Sequence, residues 1–394
     1  MVVGGGPAGL AVSQALVARG VDHVVLERAE PGATWATQRW DSFRLNTPGW
    51  MNHVVGEMVA TAFPRRDEVV AMLTAKAATL PMRSGAQVVA MEHSGAGFAV
   101  RTPDDELLAD TVVLATGGLN VPRLPTLADA LPDHVLQLHT ASYRSAGALP
   151  DGAVLVVGSG QSGGQIAEDL ALAGRRVYLA TSPVGRFRWN YRARETIGWL
   201  VASGFWGQRP DELAVRSVMR WAQPLVASGG RDLNLPGLAA MGVTLVGRLE
   251  SAEGNRIVLD GSLTGNVSYA DEFSRRICAQ IDAYIEAQGV DAPAATEEVR
   301  AGPVEDAGPS VLDLAASGIT SVIWCTGFTG DFSYLPTAVL DERGQPRHDG
   351  VVTPMPGLFL VGVPWLVRRD SGILHGMPTD AETAATAVSA HLAE

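Results

Sequence analysis

Residues 2–27 read VVGGGPAGLAVSQALVARGVDHVVLE, and this stretch decides the fold. A short apolar run leads into Gly4-Gly5-Gly6-Pro7-Ala8-Gly9, apolar residues recur at helical spacing from Leu10 to Arg19, and Val24-Val25-Leu26-Glu27 closes the unit. The order is strand, turn, helix, strand, with the glycines in a G-x-G-x-x-G frame. Each glycine meets a separate steric demand: Gly4 the tight turn, Gly6 the approach of backbone N–H groups to a pyrophosphate, Gly9 the close packing of helix on strand. The phosphates then fall at the helix N-terminus, beside Pro7 and Ala8, where unpaired N–H groups and the helix dipole favour negative charge. Glu27 ends the second strand, where a carboxylate accepts hydrogen bonds from ribose hydroxyls, and Arg28 follows it. Only Met1, Val2 and Val3 precede the first glycine, whereas strands usually run to about five or six residues. Either this strand is short or the natural chain begins earlier.

A second unit repeats the plan. Val154-Leu155-Val156-Val157 is a strand, Gly158-Ser159-Gly160-Gln161-Ser162-Gly163 restores the glycine frame, Gln165 to Leu172 is its helix and Val177-Tyr178-Leu179-Ala180 the next strand. Two such frames in one chain are far more specific than one. Where the first unit has Glu27, the second has Thr181 and Ser182, followed by Arg186, Arg188, Arg192 and Arg194. A carboxylate there repels a 2′-phosphate, whereas hydroxyls and guanidinium forks bind it. The first site therefore suits a dinucleotide with a free ribose, as in FAD, and the second suits NADP, with Arg186 and Arg192 expected on the 2′-phosphate. The alternative for these arginines is a solvated helix face. Thr111 to Gly118 is an apolar strand ending in Ala115-Thr116-Gly117, and Cys325-Thr326-Gly327 echoes it after the β-rich run Ile319 to Trp324. Small residues at such strand ends let the backbone pass close to a bound dinucleotide.

The chain has 394 residues, 46% hydrophobic and 18% charged, enough for two or three domains with sizeable cores. Its net charge of -12 argues against nucleic acid and anionic membrane surfaces, both of which reward clustered Lys and Arg. Cys278 and Cys325 have neither disulfide-framework nor metal-ligand spacing, which fits a reducing, cytoplasmic compartment. No apolar run approaches the roughly 18 residues of a membrane span, and the glycine loop starts too early to leave room for a signal peptide.

Between the frames lie Gly32-Ala33-Thr34-Trp35 and the irregular stretch Arg39 to Trp50, a helix from Ala71 to Leu80, and short strands at Gln87–Met91, Gly97–Thr102 and Leu107–Asp110 that form a small antiparallel layer. After the second frame, Glu195 to Leu238 turns helical and aromatic, with Trp199, Phe205, Trp206 and Trp221 as core or pocket wall. Ala270 to Gln288 reads as an amphipathic helix and Asp291 to Pro309 as a linker. The strand Gly357 to Gly362 leads through Pro364-Trp365 to a C-terminal helix from about Ala381 to Leu392, capped by Thr379-Asp380. The expected architecture is α/β: two Rossmann-like domains, the second inserted into the first. Residues 1–149 and 319–394 form the FAD domain, and 150–318 the NADP domain with a helical excursion at about 189–240.

These residues resemble the flavin-dependent monooxygenases built on two dinucleotide-binding domains, which include flavin-containing, N-hydroxylating and Baeyer-Villiger monooxygenases. The likeness spans nearly the whole chain: both glycine frames, Gly32 to Trp35, Leu45-Asn46-Thr47-Pro48, both strand-end Thr-Gly motifs and Pro356-Gly357-Leu358. His139-Thr140-Ala141-Ser142-Tyr143-Arg144 is similar to the second half of the family signature F-x-G-x-x-x-H-x-x-x-[WYF]; Asp133 and Val135 replace its Phe and Gly. Tyr143, where typical Baeyer-Villiger members have Trp, leans toward heteroatom oxygenation. The resemblance implies that NADPH reduces FAD, that O2 adds at flavin C4a, and that a small-molecule substrate is oxygenated, with N- or S-oxygenation favoured. It puts Asn46 beside flavin C4a and N5, and Arg44, Thr47, Gly362 and His375 among the flavin contacts. It explains why no catalytic triad or metal cluster stands out, since the cofactor carries the chemistry. Baeyer-Villiger or oxo-acid oxygenation, a flavin reductase or dehydrogenase, and an NADP(H)-binding redox sensor are the competing expectations. A homodimer is compatible with the sequence.

Overall fold

The computed structural model describes residues 1–52, 63–95, 97–213, 219, 224–298, 302, 304 and 308–394. Each glycine frame follows the central strand of its own five-stranded parallel sheet. The first sheet runs Leu358–Leu360, Val112–Leu114, Val2–Val3, Val25–Leu26, Met82–Arg83 in spatial order. Val2 and Val3 pair with Val25–Leu26 on one side and Val113–Leu114 on the other, so a two-residue strand forms the middle of the sheet. Its neighbours are apolar on both faces because helices cover a parallel sheet on both sides. Pro7–Ala18 and Met377–Leu392 supply part of that cover and are tied by Arg19 to Glu382 at 2.7 Å. The antiparallel layer is present as Ala90–Ser94, Gly97–Arg101 and Glu106–Ala109.

The C-terminal helix starts at Met377 rather than near Ala381, and Thr379-Asp380 does not cap it. Gly376 holds the cap position, while Asp380 is buried in the first turn and accepts the Ser371 hydroxyl at 3.1 Å.

The second sheet runs Thr244–Val246, Val177–Ala180, Ala153–Val157, Ile319–Trp324, Leu136–His139, again all parallel. This corrects the domain boundary at residue 319. Ile319–Trp324 lies beside Ala153–Val157, and Leu136–His139, placed by sequence in the first domain, is the edge strand. Fully buried Val322 and Ile323 complete an apolar centre with Val154 and Val156. A buried parallel strand carries no mark of which of two similar sheets will take it. The chain crosses between units through a small antiparallel pair, Val121–Pro122 with Phe328–Thr329.

The excursion begins with a hairpin, Asn190–Tyr191 and Arg194–Glu195, continues as helix Thr196–Ala202 and 3-10 turns at Phe205–Gly207 and Pro210–Glu212, and ends in helix Leu235–Ala240. Trp199 is core with Phe187, Tyr191, Ile277 and Ile281, and the partly buried Phe205 and Trp206 pack against that cluster; Trp221 lies outside the described residues. Ile277 and Ile281 belong to a helix that starts at Leu263, ahead of the expected Ala270, and runs to Gln288. Among the described residues no helix is long and apolar enough to cross a membrane.

Candidate functional site

The first frame is built by exclusion. A Cβ on Gly4 would stand 2.6 Å from the Ala115 carbonyl oxygen, and one on Gly9 would stand 1.9 Å from the Gly4 carbonyl oxygen. Gly4 also has φ +108°, a conformation that side chains disfavour. At Gly6 the same construction meets nothing within 4 Å. Packing thus forbids a side chain at two positions and leaves open space at the third, the cradle a pyrophosphate needs. Helix Pro7–Ala18 starts there without a side-chain cap, which leaves its first amides for an anion. Glu27 accepts the Gly5 and Ala29 N–H groups at 2.7 and 3.0 Å, which fixes its carboxylate against the loop. These residues fit the phosphates and ribose of a dinucleotide. Thr116 shares a 3.0 Å hydrogen bond with the Tyr334 hydroxyl, and Gly362 lies against Ala8, where an added Cβ would stand 2.8 Å from the Ala8 Cβ. Arg28 is exposed. Thr34 and Trp35 share the short helix Ala33–Thr37, and the Thr47 hydroxyl pairs with the Asn52 side chain.

The second frame repeats this steric plan. An added Cβ on Gly158, φ +105°, would meet the Cys325 carbonyl oxygen at 2.6 Å, and one on Gly163 the Gly158 carbonyl oxygen at 1.8 Å. Cys325-Thr326-Gly327 therefore serves the second frame as Ala115-Thr116-Gly117 serves the first. Gly160 precedes helix Gln161–Leu172, which also lacks a side-chain cap. The Ser159 hydroxyl accepts the Ser182 N–H at 3.0 Å, and the Thr326 hydroxyl donates to the Arg123 carbonyl at 2.5 Å.

The expected 2′-phosphate cluster is not assembled. The Thr181 hydroxyl donates to the Val246 carbonyl and accepts the Asn266 amide at 3.0 Å, so its one donor, which a phosphate would need, is taken. Arg186 is buried between Asp271 at 2.7 Å and Glu298 at 2.6 Å. Burial opposes its charge, but hydrogen bonds to Glu298 and Asp271 outweigh that and hold the guanidinium firmly protonated. Arg192 occupies the hairpin turn with φ +48° and pairs with Asp282 at 2.7 Å. Both forks thus face carboxylates. The reason is the long helix Leu263–Gln288, whose Asp271 and Asp282 the sequence did not connect to these arginines.

A cavity of about 190 Å³ lies between the second frame's helix start and the first-unit segment from Trp35 to Asn46. The first unit contributes Trp35, Arg44 and Asn46, and the second Gln161 and Ser162; these sequence-identified residues do converge. His375 does not line the cavity. Gln161 is held by its side chain, which accepts the Val226 N–H and donates to the Ala227 carbonyl, both at 2.8 Å. Gln38, Arg39, Trp40, Phe43, Thr140, Gln165 and Phe328 also line the cavity, and sequence reasoning did not single them out. The available signal was an arginine set among three aromatic residues, Trp35, Trp40 and Phe43.

The half-signature forms the joint beside this cavity. His139 Nδ1 accepts the Ala141 N–H, so Nε2 carries the proton and donates to the Gly327 carbonyl at 3.0 Å. Burial lowers its pKa and keeps the ring neutral. Tyr143 donates to Asp169 at 2.6 Å, and Ser42 donates to the other oxygen of the same carboxylate. Linker, first-unit loop and second-unit helix are thereby fastened together.

Residues 1–199 match the family model described as pyridine nucleotide-disulphide oxidoreductase, which is more than half of the chain. The chain belongs to that family. Among relatives of this oxidoreductase, an "Uncharacterized oxidoreductase CzcO-like" of Geobacillus kaustophilus is 27% identical over 390 residues, covering 97% of this chain and 95% of the relative. "Indole-3-pyruvate monooxygenase YUCCA1" of Oryza sativa is 33% identical over 186 residues, 45% of this chain and 46% of that protein. Among solved structures, a flavin-containing monooxygenase from Stenotrophomonas maltophilia superposes with a TM-score of 0.66 at 20% identity, covering 99% of this chain and 98% of that one. The protein is an enzyme, an oxidoreductase of this pyridine nucleotide family.

Proposed function

We propose that the enzyme is an NADPH- and O2-dependent FAD monooxygenase that oxygenates a small molecule between the two frames. The observation that carries this reading is the meeting of Asn46 with Gln161 and Ser162 in one cavity. In this reading the first frame holds FAD and the second holds NADP. Bound FAD supplies hydride acceptance and activation of O2. Gly4 to Gly9 bind its phosphates, Glu27 orients its ribose, and the Asn46 amide supplies a hydrogen bond at the reacting edge. Trp35, Phe43 and Phe328 wall the cavity against water, which protects a reactive species from hydrolysis and wasteful release. Sulfur or nitrogen is the favoured reacting atom. A second reading, oxygenation of a 2-oxo acid, is supported by the name of the rice relative. Cys278 and Cys325 are both unpaired and stand on different elements, which counts against a disulfide relay and suits a cytoplasmic location.

Stopped-flow reoxidation tests the reading. The purified protein should be yellow, its flavin should be bleached by NADPH, and O2 should then produce a spectrally distinct species before oxidised flavin returns. Direct return of the oxidised spectrum with all electrons recovered as peroxide, whatever the substrate, would make the protein a reductase. Tight NADP binding with negligible NADPH oxidation would make it a sensor.

A further inference from the structure

Charge is distributed unevenly around the cavity. Arg39 and Arg44 line it, and among the described residues no carboxylate does. Arg39 donates to the Gln38 carbonyl at 2.8 Å and lies over the rings of Trp35 and Phe43 at 5.2 and 5.7 Å. Arg44 donates to the Phe63 carbonyl at 3.1 Å. Neither arginine pairs with a carboxylate among the described residues. Arg186, by contrast, has two acidic partners. Burial pushes Arg39 down to about 10, the mark of a cation removed from water without an anion beside it. Gln38 Oε1, on the same wall, is buried without a partner.

The geometry points to a substrate that carries a carboxylate on a flat apolar body, the carboxylate meeting Arg39 and Arg44 and the body lying along Trp35, Phe43 and Phe328. This rests on the oxygenase reading and names its substrate class. The guanidinium fork suits a carboxylate bidentately, and aromatic walls suit a planar body. A protonated amine is disfavoured, because it would meet two like charges and no carboxylate. The pyrophosphate of the nicotinamide coenzyme is the other anion within the same chemistry, so the test must separate the two.

Three aryl methyl sulfides of one skeleton do this: para-(methylthio)benzoate, thioanisole and para-(methylthio)benzylamine. Each is titrated into oxidised FAD-loaded enzyme with NADP+ present, and binding is read as the flavin difference spectrum. The benzoate should bind about tenfold more tightly than thioanisole, with the ammonium weakest, a charge-assisted contact being the difference. Arg39→Met should reduce that preference to about threefold or less, and Arg39→Lys should keep most of it. NADP+ affinity, measured separately, should stay within about twofold in both variants. Equal binding of the three sulfides by the wild type, or binding of none, overturns the assignment. So does a loss of NADP+ affinity in the arginine variants matching their loss of benzoate affinity, since the arginines would then serve the coenzyme. Benzoate preference with no sulfoxide formed from any probe leaves the assignment standing and overturns the oxygenase reading instead.

Discussion

The first and second glycine frames share a steric plan and differ at the end of the following strand. In both, a glycine oxygen lies within 2 Å of where the third glycine would carry a side chain. At the strand end, Glu27 presents a carboxylate to the loop through Gly5, whereas the Thr181 hydroxyl is already closed by Val246 and Asn266. The difference teaches that backbone crowding makes a phosphate cradle, while the residue after the strand decides what reaches the ribose. It also shows that a polar side chain at the matching position is not a ligand until its hydrogen bonds are counted.

The largest effect should come from breaking each cradle separately. Gly9→Ala should yield colourless protein that fails to take up FAD, with affinity lowered more than about 100-fold, because the new methyl group cannot coexist with the Gly4 carbonyl. Gly163→Ala should keep its flavin colour yet lose NADP+ binding by a similar factor. Flavin absorbance and NADP+ titration read the two outcomes, and a Gly163→Ala protein still bleached normally by NADPH would sink the division of labour.

The second effect sharpens the contrast in charge. Arg186→Met removes the buried guanidinium that Asp271 and Glu298 share, which should cost about 3 kcal/mol of stability. The ratio of NADPH to NADH efficiency should not move. Thermal unfolding and paired coenzyme kinetics check this, and a selective loss of NADPH would restore the 2′-phosphate role read from sequence.

Most of the fold was legible because its signals are local. Glycine spacing, apolar strands and flanking helices all act within about thirty residues, so both Rossmann units could be read from residues 2–27 and 154–182. What escaped depends on distant partners. Ile319–Trp324 reads as a buried strand, yet only its pairing with Ala153–Val157 assigns it to a sheet. Arg186 reads as a phosphate ligand until the helix carrying Asp271 arrives from far along the chain. Of the cavity, Asn46 and Ser162 were visible through motif position. Arg39 was not, since its meaning lies in having no carboxylate paired with it among the described residues.

Buried carboxylates behind the two frames give a third contrast. Glu168, on the second frame's helix, receives the Ser228 hydroxyl and Arg231. Asp380, on the helix closing the first unit, has one oxygen on Ser371 and the other without a partner. Burial pushes Asp380 up to about 6, with Ser371 pulling it down, nearby Asp370 adding to the rise, and Arg368 opposing it. A raised carboxylate pKa means the folded state holds the proton longer than the unfolded chain. Stability from this group is therefore greatest below the ordinary carboxylate range, falls as pH rises to about 6, and is flat above. Asp380→Asn should remove that fall, which is on the order of 2 kcal/mol, and be the more stable protein at pH 7. Denaturant titrations at pH 4 and 7 measure it; parallel pH dependence in both proteins would refute it.

The smallest expected effect tests the strand end itself. Glu27→Gln keeps the shape and the acceptor oxygen facing Gly5 but removes the charge. Charged acceptors form hydrogen bonds roughly twice as strong as neutral ones, so the loss should be about 1 kcal/mol, near fivefold in FAD affinity. NADP+ binding should be unchanged, since Thr181 and not Glu27 ends the strand of the second frame. The reciprocal change, Thr181→Glu, is harsher than its position suggests. It buries a carboxylate where the Asn266 amide now donates, so its cost would fall on folding before it reached the coenzyme. Fluorescence titration of apoprotein with FAD reads the first variant. If Glu27→Gln took up FAD as tightly as the wild type, the carboxylate would be a loop brace through Gly5 and Ala29, and the polarity contrast between the frames would lose its bearing on the ribose.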